Sequence, residues 1–444
     1  MRPLAPVLVL GAAAAALQGC GGERPEGPSV VLVIVDTLRA DRLGCYGGPE
    51  DVSPELDALA SESVVFEDVL APCSWTRPSI AGLVTGLHPR GLGIFKEAGD
   101  ALPATTRTLA QELGAAGWNT FGITANPNIN TCFGFDRGFD TYIDSDVVFE
   151  FMDRGDAQET YAFGHVTLPR SRRVLRRALE WAADHGDAPG FLQVDLMEVH
   201  ERERQLRPEF RERFEGEPDQ GYLAAVAQVS HDVGRFVADL RALEGWADAL
   251  VVVTSDHGEA LDGDHAAVVV KPHGDLLYET QLQVPLILSR PGILDARRIP
   301  DRVRLIDVMP TVLELCGLHP SPDLHGVSLA GLLTGTSRPD LPEVFVAETA
   351  WREREKLAAY AAEWRYVENR DGHPGTDPIE LQAAGGAEDG AATNRLEQHP
   401  EIAADLARHL ADWERRHPRV ESTEGEALGA PARQQLEAIG YGGD

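Results

Sequence analysis

Seven residues, Ser29-Val-Val-Leu-Val-Ile-Val35, run apolar almost throughout and stop at Asp36. A strand that is apolar on both faces must be covered on both faces, which suits the interior of a parallel sheet better than its edge. Similar runs recur at residues 120–124, 191–194, 249–254 and 284–289. Helical patterns lie between them, at 53–63, 106–116, 172–183 and 223–243. This alternation predicts an α/β fold with a mostly parallel central sheet sandwiched by helices. Polar groups follow the strands at once: Asp36, Asn126, the stretch from Asp195 to His200, and Asp256-His257. Open α/β sheets bind ligands at the carboxyl ends of their strands, so four strand ends converge on one expected site.

The α/β domain is expected to span residues 29–338. From about Pro339 the texture changes to short strands at 343–348 and 364–368, a loop at 383–393 and an amphipathic helix at 401–416. These predict a small C-terminal α+β subdomain over 339–420, then a tail over 421–444; no internal repeat is present. Residues 1–20 have the form of an export signal: Arg2, an apolar run too short to span a bilayer, then Leu17-Gln18-Gly19-Cys20. That ending resembles a bacterial lipobox, which would make Cys20 the lipidated start of the mature chain and 21–28 a tether. The expectation is an exported lipoprotein of the cell envelope, held to the membrane by lipid alone, with a secreted or periplasmic soluble form as the alternative. Asp and Glu number 71 against 40 Lys and Arg, a net charge of −31, which excludes nucleic acid as an expected partner. Cys45, Cys73, Cys132 and Cys316 could pair in an exported protein, but their spacing favours no connectivity.

Asp36 follows a buried strand, where a lone carboxylate is costly unless paired or bound to a cation. Asp256-His257-Gly258-Glu259 follows another. Carboxylate oxygen and imidazole nitrogen suit a divalent ion, so Asp36, Asp256 and His257 form a plausible partial shell. Ser74-Trp75-Thr76-Arg77-Pro78-Ser79 reads as a loop entering a helix, with Pro78 at the first helical position and Thr76 just before it. Free amides and the helix dipole there favour negative charge. A hydroxyl so placed beside a metal could attack phosphorus or sulfur; otherwise it is a helix cap.

Together these segments resemble the sulfatase family of the alkaline-phosphatase-like superfamily. Val35-Asp36-Thr37-Leu38-Arg39-Ala40-Asp41 is similar to the family's opening motif. Pro78-Ser79 with Leu83-Val84-Thr85-Gly86 is similar to its nucleophile motif, and Ser255-Asp256-His257-Gly258-Glu259 to its second metal motif. His273-Gly274 before Leu277-Tyr278-Glu279, and the stretch from Val303 to Thr311, continue the likeness. By position, the resemblance implies one divalent metal, its identity open among Ca, Mn, Zn and Mg, held by Asp36, Thr76, Asp256 and His257. It implies His200 as a group contacting the ester or leaving group, and His273 near the residue that grips the anion. Lys271 could share that role, and Asn126 lies where relatives place substrate-binding groups. His265 reads as a loop residue.

The departures carry information. Relatives often have a second Asp where this chain has Thr37. Formylglycine enzymes carry Cys or Ser at the position of Thr76 and Arg at that of Ile80, so no formylglycine is expected. Cys73 lacks a proline two residues on and reads as structural. Ala125 stands about where a lysine is usual. The expectation is a metal-dependent hydrolase of anionic sulfate or phosphate esters with Thr76 as nucleophile, leaning toward phosphate mono- or diesters. Two alternatives remain open: a transferase moving a phospho-headgroup to an envelope lipid or glycan, and a catalytically silent binding lipoprotein.

Overall fold

The computed structural model describes residues 26–95, 99–144, 160–163, 166–202, 206–261, 264, 273–370, 372, 376–385, 393–425 and 436. Cys20, Lys271 and His265 lie outside the described residues. Among those described, no helix is long and apolar enough to cross a membrane. The expected tether is partly packed: Pro28 is buried, and its carbonyl accepts a hydrogen bond from Trp118 Nε1 at 2.9 Å.

The eight strands of the main sheet are, in chain order, β1 (Val30–Val35), β2 (Val64–Leu70), β3 (Asn119–Thr124), β4 (Thr141–Ile143), β5 (Gly190–Leu196), β6 (Leu250–Thr254), β7 (Leu286–Ser289) and β8 (Arg297–Arg304). Their order across the sheet is β8-β2-β7-β6-β1-β5-β3-β4. β1 runs parallel to both β5 and β6 at the centre. Its alternation explains that place: Val30, Leu32 and Ile34 enter one apolar core, and Val31, Val33 and Val35 enter the other. Full burial of one such side chain contributes about 1.5–3 kcal/mol, so neither face could be left wet.

The mostly parallel sheet holds, with one interior strand reversed. The run at 284–289 supplies β7, which is antiparallel to both neighbours, β6 and β2. A continuous apolar run reports burial on two faces and carries no directional signal. Strands β2 and β8 were not anticipated; β8 mixes Arg297, Arg298, Asp301 and Arg302 into its sequence because it lies at the sheet edge.

Helices α1 (Pro54–Ser61), α3 (Ser171–Asp184) and α4 (Gln220–Arg241) cover one face. Helices α2 (Thr76–Thr85) and α5 (Val308–Leu315) cover the other. Beyond them stands a four-stranded antiparallel sheet: β9 (Phe345–Thr349), β10 (Lys356–Tyr360), β11 (Trp364–Asn369) and β12 (Ile379–Ala383). One face of it packs α6 (Pro400–Arg416) through Leu357, Tyr366, Leu406, Leu410 and Trp413. On the other, Tyr278 donates to Glu380 at 2.8 Å and Tyr360 donates to the Leu277 carbonyl at 2.6 Å. Those bonds tie the small sheet to the segment that begins at His273.

Cys45, Cys73 and Cys316 are free thiols. Burial pushes the Cys73 thiol well above its ordinary value.

Candidate active site

α2 begins at Thr76, two residues earlier than the proline signal suggests. Trp75 is the N-cap in extended conformation, and Pro78 is the third helical residue. Its missing N–H costs little, because the first four helical amides lack intrahelical partners anyway. Thr76 is thus the first helical residue, completely buried, and its hydroxyl lies 3.4 Å from both Asp36 Oδ2 and His257 Nε2. β1 delivers Asp36, β6 delivers Asp256 and His257, and α2 delivers Thr76.

Asp36, Asp256 and His257 are all buried and present ligand atoms within 4.8 Å of one another. His257 Nε2 stands 3.3 Å from Asp256 Oδ2 and 3.9 Å from Asp36 Oδ1. Neither of these two oxygens has a hydrogen-bond partner. Two buried carboxylates this close repel each other; burial first, then Asp256, holds the Asp36 carboxyl well above the usual carboxylate range. Two orphaned oxygens facing one imidazole nitrogen form a donor set suited to a divalent cation. His257 Nδ1 is 2.8 Å from the Gly258 carbonyl, a contact that fixes the ring and leaves Nε2 toward the carboxylates. Gly258 is required by space: a Cβ there would meet the Thr280 carbonyl at 2.2 Å.

Thr37 replaces the second acidic residue and acts through its backbone. It is buried with φ 60, its amide donates to Asp256 Oδ1 at 3.2 Å, and its hydroxyl donates to the Asp36 carbonyl at 2.7 Å. Such a left-handed residue costs on the order of 1 kcal/mol and persists only where its surroundings hold it. Tyr222 does so, donating to the Thr37 carbonyl at 2.7 Å and accepting from the Arg39 amide at 2.9 Å. Nothing in the sequence separates Tyr222 from an ordinary buried residue of an amphipathic helix.

Asn126 donates to Asp36 Oδ2 at 2.5 Å, so its amide touches a carboxylate of the donor set. His200 is held at Nδ1 by Glu201 Oε1, 2.9 Å away, and its buried Nε2 has no partner. Burial opposes its charge, but Asp36 and Glu201 outweigh that and push the imidazole up to about 9. The His273 ring stands 5.0 Å from those of both His200 and His257. Burial, with those two histidines, lowers its pKa well below the ordinary value. Gly274, at φ 90, lets Trp351 close over this segment; a Cβ there would lie 2.7 Å from the indole. Trp351 also packs edge-on against Trp75 at 5.1 Å, joining the small sheet to the turn that opens α2.

Glu259, read from the sequence only as the end of its motif, is buried and pairs at the same edge with the partly exposed Arg202, which the sequence did not mark. Ile80 fills the core, while Arg77, wholly buried, stacks 3.5 Å from the Phe133 ring and donates to the Asn128 carbonyl at 3.0 Å.

Behind the site, Asp195 is buried with Oδ1 unpartnered, and burial pushes its carboxyl up to about 8 from an ordinary 3.8. The folded protein therefore keeps a proton that the unfolded chain sheds near 3.8, so this group's contribution to stability falls as pH rises toward about 8. Asp195→Asn should stabilise the protein at pH about 8 by on the order of 1–3 kcal/mol and leave it unchanged near pH 4. Denaturant titrations at the two pH values check this; equal stability of both proteins at pH 8 contradicts it.

The fold and this donor set define a hydrolase of sulfuric or phosphoric esters. The Sulfatase family profile matches residues 28–318, and the chain belongs to that family. An N-acetylgalactosamine-6-sulfatase from Sus scrofa is 25% identical over 75% of this chain and 71% of its own length. Among solved structures, a phosphonate monoester hydrolase of Agrobacterium radiobacter superposes with a TM-score of 0.68 at 19% identity, over 88% of this chain and 96% of the other. A 2-O GAG sulfatase gives a TM-score of 0.68 at 16% identity, over 88% and 93%.

Proposed function

We propose that this protein cleaves phosphate mono- or diesters in preference to sulfate esters, with Thr76 as the nucleophile. The observation that carries the reading is the Thr76 hydroxyl at the first position of α2, 3.4 Å from Asp36 and from His257. A divalent cation held by Asp36, Asp256 and His257, with Thr76 beside them, would lower the hydroxyl pKa and neutralise charge on the substrate. Thr76 Oγ forms a bond to phosphorus as the ester oxygen departs. His200 Nε2 is placed to give that oxygen its proton, with Glu201 holding the ring from the far side. The amides at the start of α2 favour the negative charge of the bound group.

The leaning toward phosphate follows from the single hydroxyl. Formylglycine, as its hydrate, has a second hydroxyl whose ionisation expels sulfate without attack at sulfur. A threonine ester must be cleaved by water at the central atom, which a phosphate ester permits more readily. Support also comes from the neighbours in fold, which include a phosphonate monoester hydrolase beside sulfatases. The test is a panel of 4-nitrophenyl phosphate, a phosphodiester, a phosphonate monoester and 4-nitrophenyl sulfate, each with several divalent ions. Higher kcat/KM for the phosphorus esters is expected; sulfate turnover that exceeds them would overturn the reading.

A further inference from the structure

The chain carries far more acid than base, yet one groove on its surface reverses the balance. Among the described residues, a cavity of about 450 Å³ between α3 and α4 is lined by Arg172, Arg176, Arg207, Arg235 and His231 with two carboxylates, Asp232 and Asp239. Arg207 is paired with Asp232 at 2.8 Å and Arg176 reaches Glu180 at 3.9 Å, which leaves the lining net positive. Its apolar floor includes Leu175 and Phe236.

The arrangement works against the helix that carries it. α3 has Arg170 as its N-cap, arginines at 172, 173, 176 and 177, and no acidic residue in its first turn. Cations at a helix N-terminus face the positive end of the dipole and are disfavoured by about 0.3–1 kcal/mol each. Glu198 already sets a carboxylate on the first amide of α3, so a bound anion would answer the guanidinium groups along the groove rather than the helix end.

The groove also adjoins the segments that bracket His200. Glu198, two residues before it, accepts a hydrogen bond from the amide of Ser171, the first residue of α3. Arg207, which follows it in sequence, lines the groove, bonded to Asp232 at 2.8 Å and through its amide to Gln228 at 2.8 Å.

We propose that this groove is an accessory site for a sulfated or phosphorylated oligosaccharide, holding a part of the substrate remote from the ester that is cleaved. The substrate role rests on the hydrolase reading above. Forked guanidinium groups match the oxygens of sulfate or phosphate. The carboxylates of Asp232 and Asp239 suit sugar hydroxyls, and the apolar floor suits the faces of sugar rings. A flat anionic membrane surface would gain nothing from the two aspartates or from the concave shape, so the oligosaccharide is the favoured occupant.

The test compares the full chain with Arg172→Ala/Arg176→Ala/Arg235→Ala and with the corresponding triple lysine variant. Fluorescence anisotropy of a labelled heparin hexasaccharide at low ionic strength reads the affinity directly, in a Thr76→Ala background that blocks turnover. The alanine variant should bind at least tenfold more weakly, and the lysine variant should retain most of the affinity. With Thr76 restored, kcat/KM for 4-nitrophenyl phosphate should stay within about twofold of wild type, because that small ester does not reach the groove. Unchanged hexasaccharide affinity in the alanine variant would overturn the site. So would its losing affinity only for phosphatidylglycerol vesicles, which would make the groove a membrane contact. Because affinity is read without turnover, an inactive wild type would sink the hydrolase reading and leave the binding result standing.

Discussion

Thr76→Ala should lower kcat toward phosphate esters by on the order of 10⁵-fold, the scale seen when a hydrolase loses its nucleophile. The substitution removes one hydroxyl from a fully buried position whose backbone is already helical. Alanine suits a helix at least as well, so the fold should persist and the loss should be chemical. Cys73→Ser is the matching control. Cys73 lies three residues earlier and is buried, and burial pushes its thiol up, which disfavours the thiolate a nucleophile would need. That variant should keep turnover within a few-fold of wild type. Mass spectrometry of the peptide containing Cys73 should show an unmodified cysteine. Formylglycine at that position, or activity that survives Thr76→Ala, would contradict the assignment.

The second large effect concerns the donor set. Asp256→Ala and His257→Ala should each abolish stoichiometric divalent metal and reduce kcat/KM by at least about 10²–10³-fold, since a Lewis acid supplies several kcat-determining kcal/mol. Each variant removes one of three buried groups whose ligand atoms lie within 4.8 Å. A ligand that binds only the folded state stabilises by mass action, about 2.7 kcal/mol at a hundredfold excess over Kd. Wild type should therefore lose thermal stability when a chelator is added, and the two variants should not respond. Asp256→Ala should lose some stability on its own account, because Asp256 Oδ1 accepts from the amides of Thr37 and His257. Full metal occupancy in both variants would refute the donor set.

Much of this was legible in the sequence, for identifiable reasons. Asp36 and Asp256-His257 each end an apolar run, so strand and functional group share one signal. Thr76 was placed by a helix entry and by its offset from Pro78. The groups that hold the site together gave no such signal. Tyr222 sits in the interior of α4, more than 180 residues from the turn it clamps, and only folding brings them together. The Arg202–Glu259 pair likewise joins two distant strand ends. The orientation of β7 was hidden because buried parallel and antiparallel strands share the same apolar composition. Trp351 reaches the site from the small sheet, where its sequence neighbours are charged and read as surface.

Trapping a covalent ester on Thr76 is the most direct test of that residue as the nucleophile. In His200→Ala, departure of 4-nitrophenol needs no acid, whereas the imidazole that would take a proton from the attacking water, having given its own to the leaving oxygen, is gone, so the intermediate should accumulate. Acid quenching during turnover of 4-nitrophenyl phosphate, followed by peptide mass spectrometry, should show one phosphoryl group on Thr76. Release of 4-nitrophenol with Thr76 unmodified and the phosphoryl group on another residue would contradict the account.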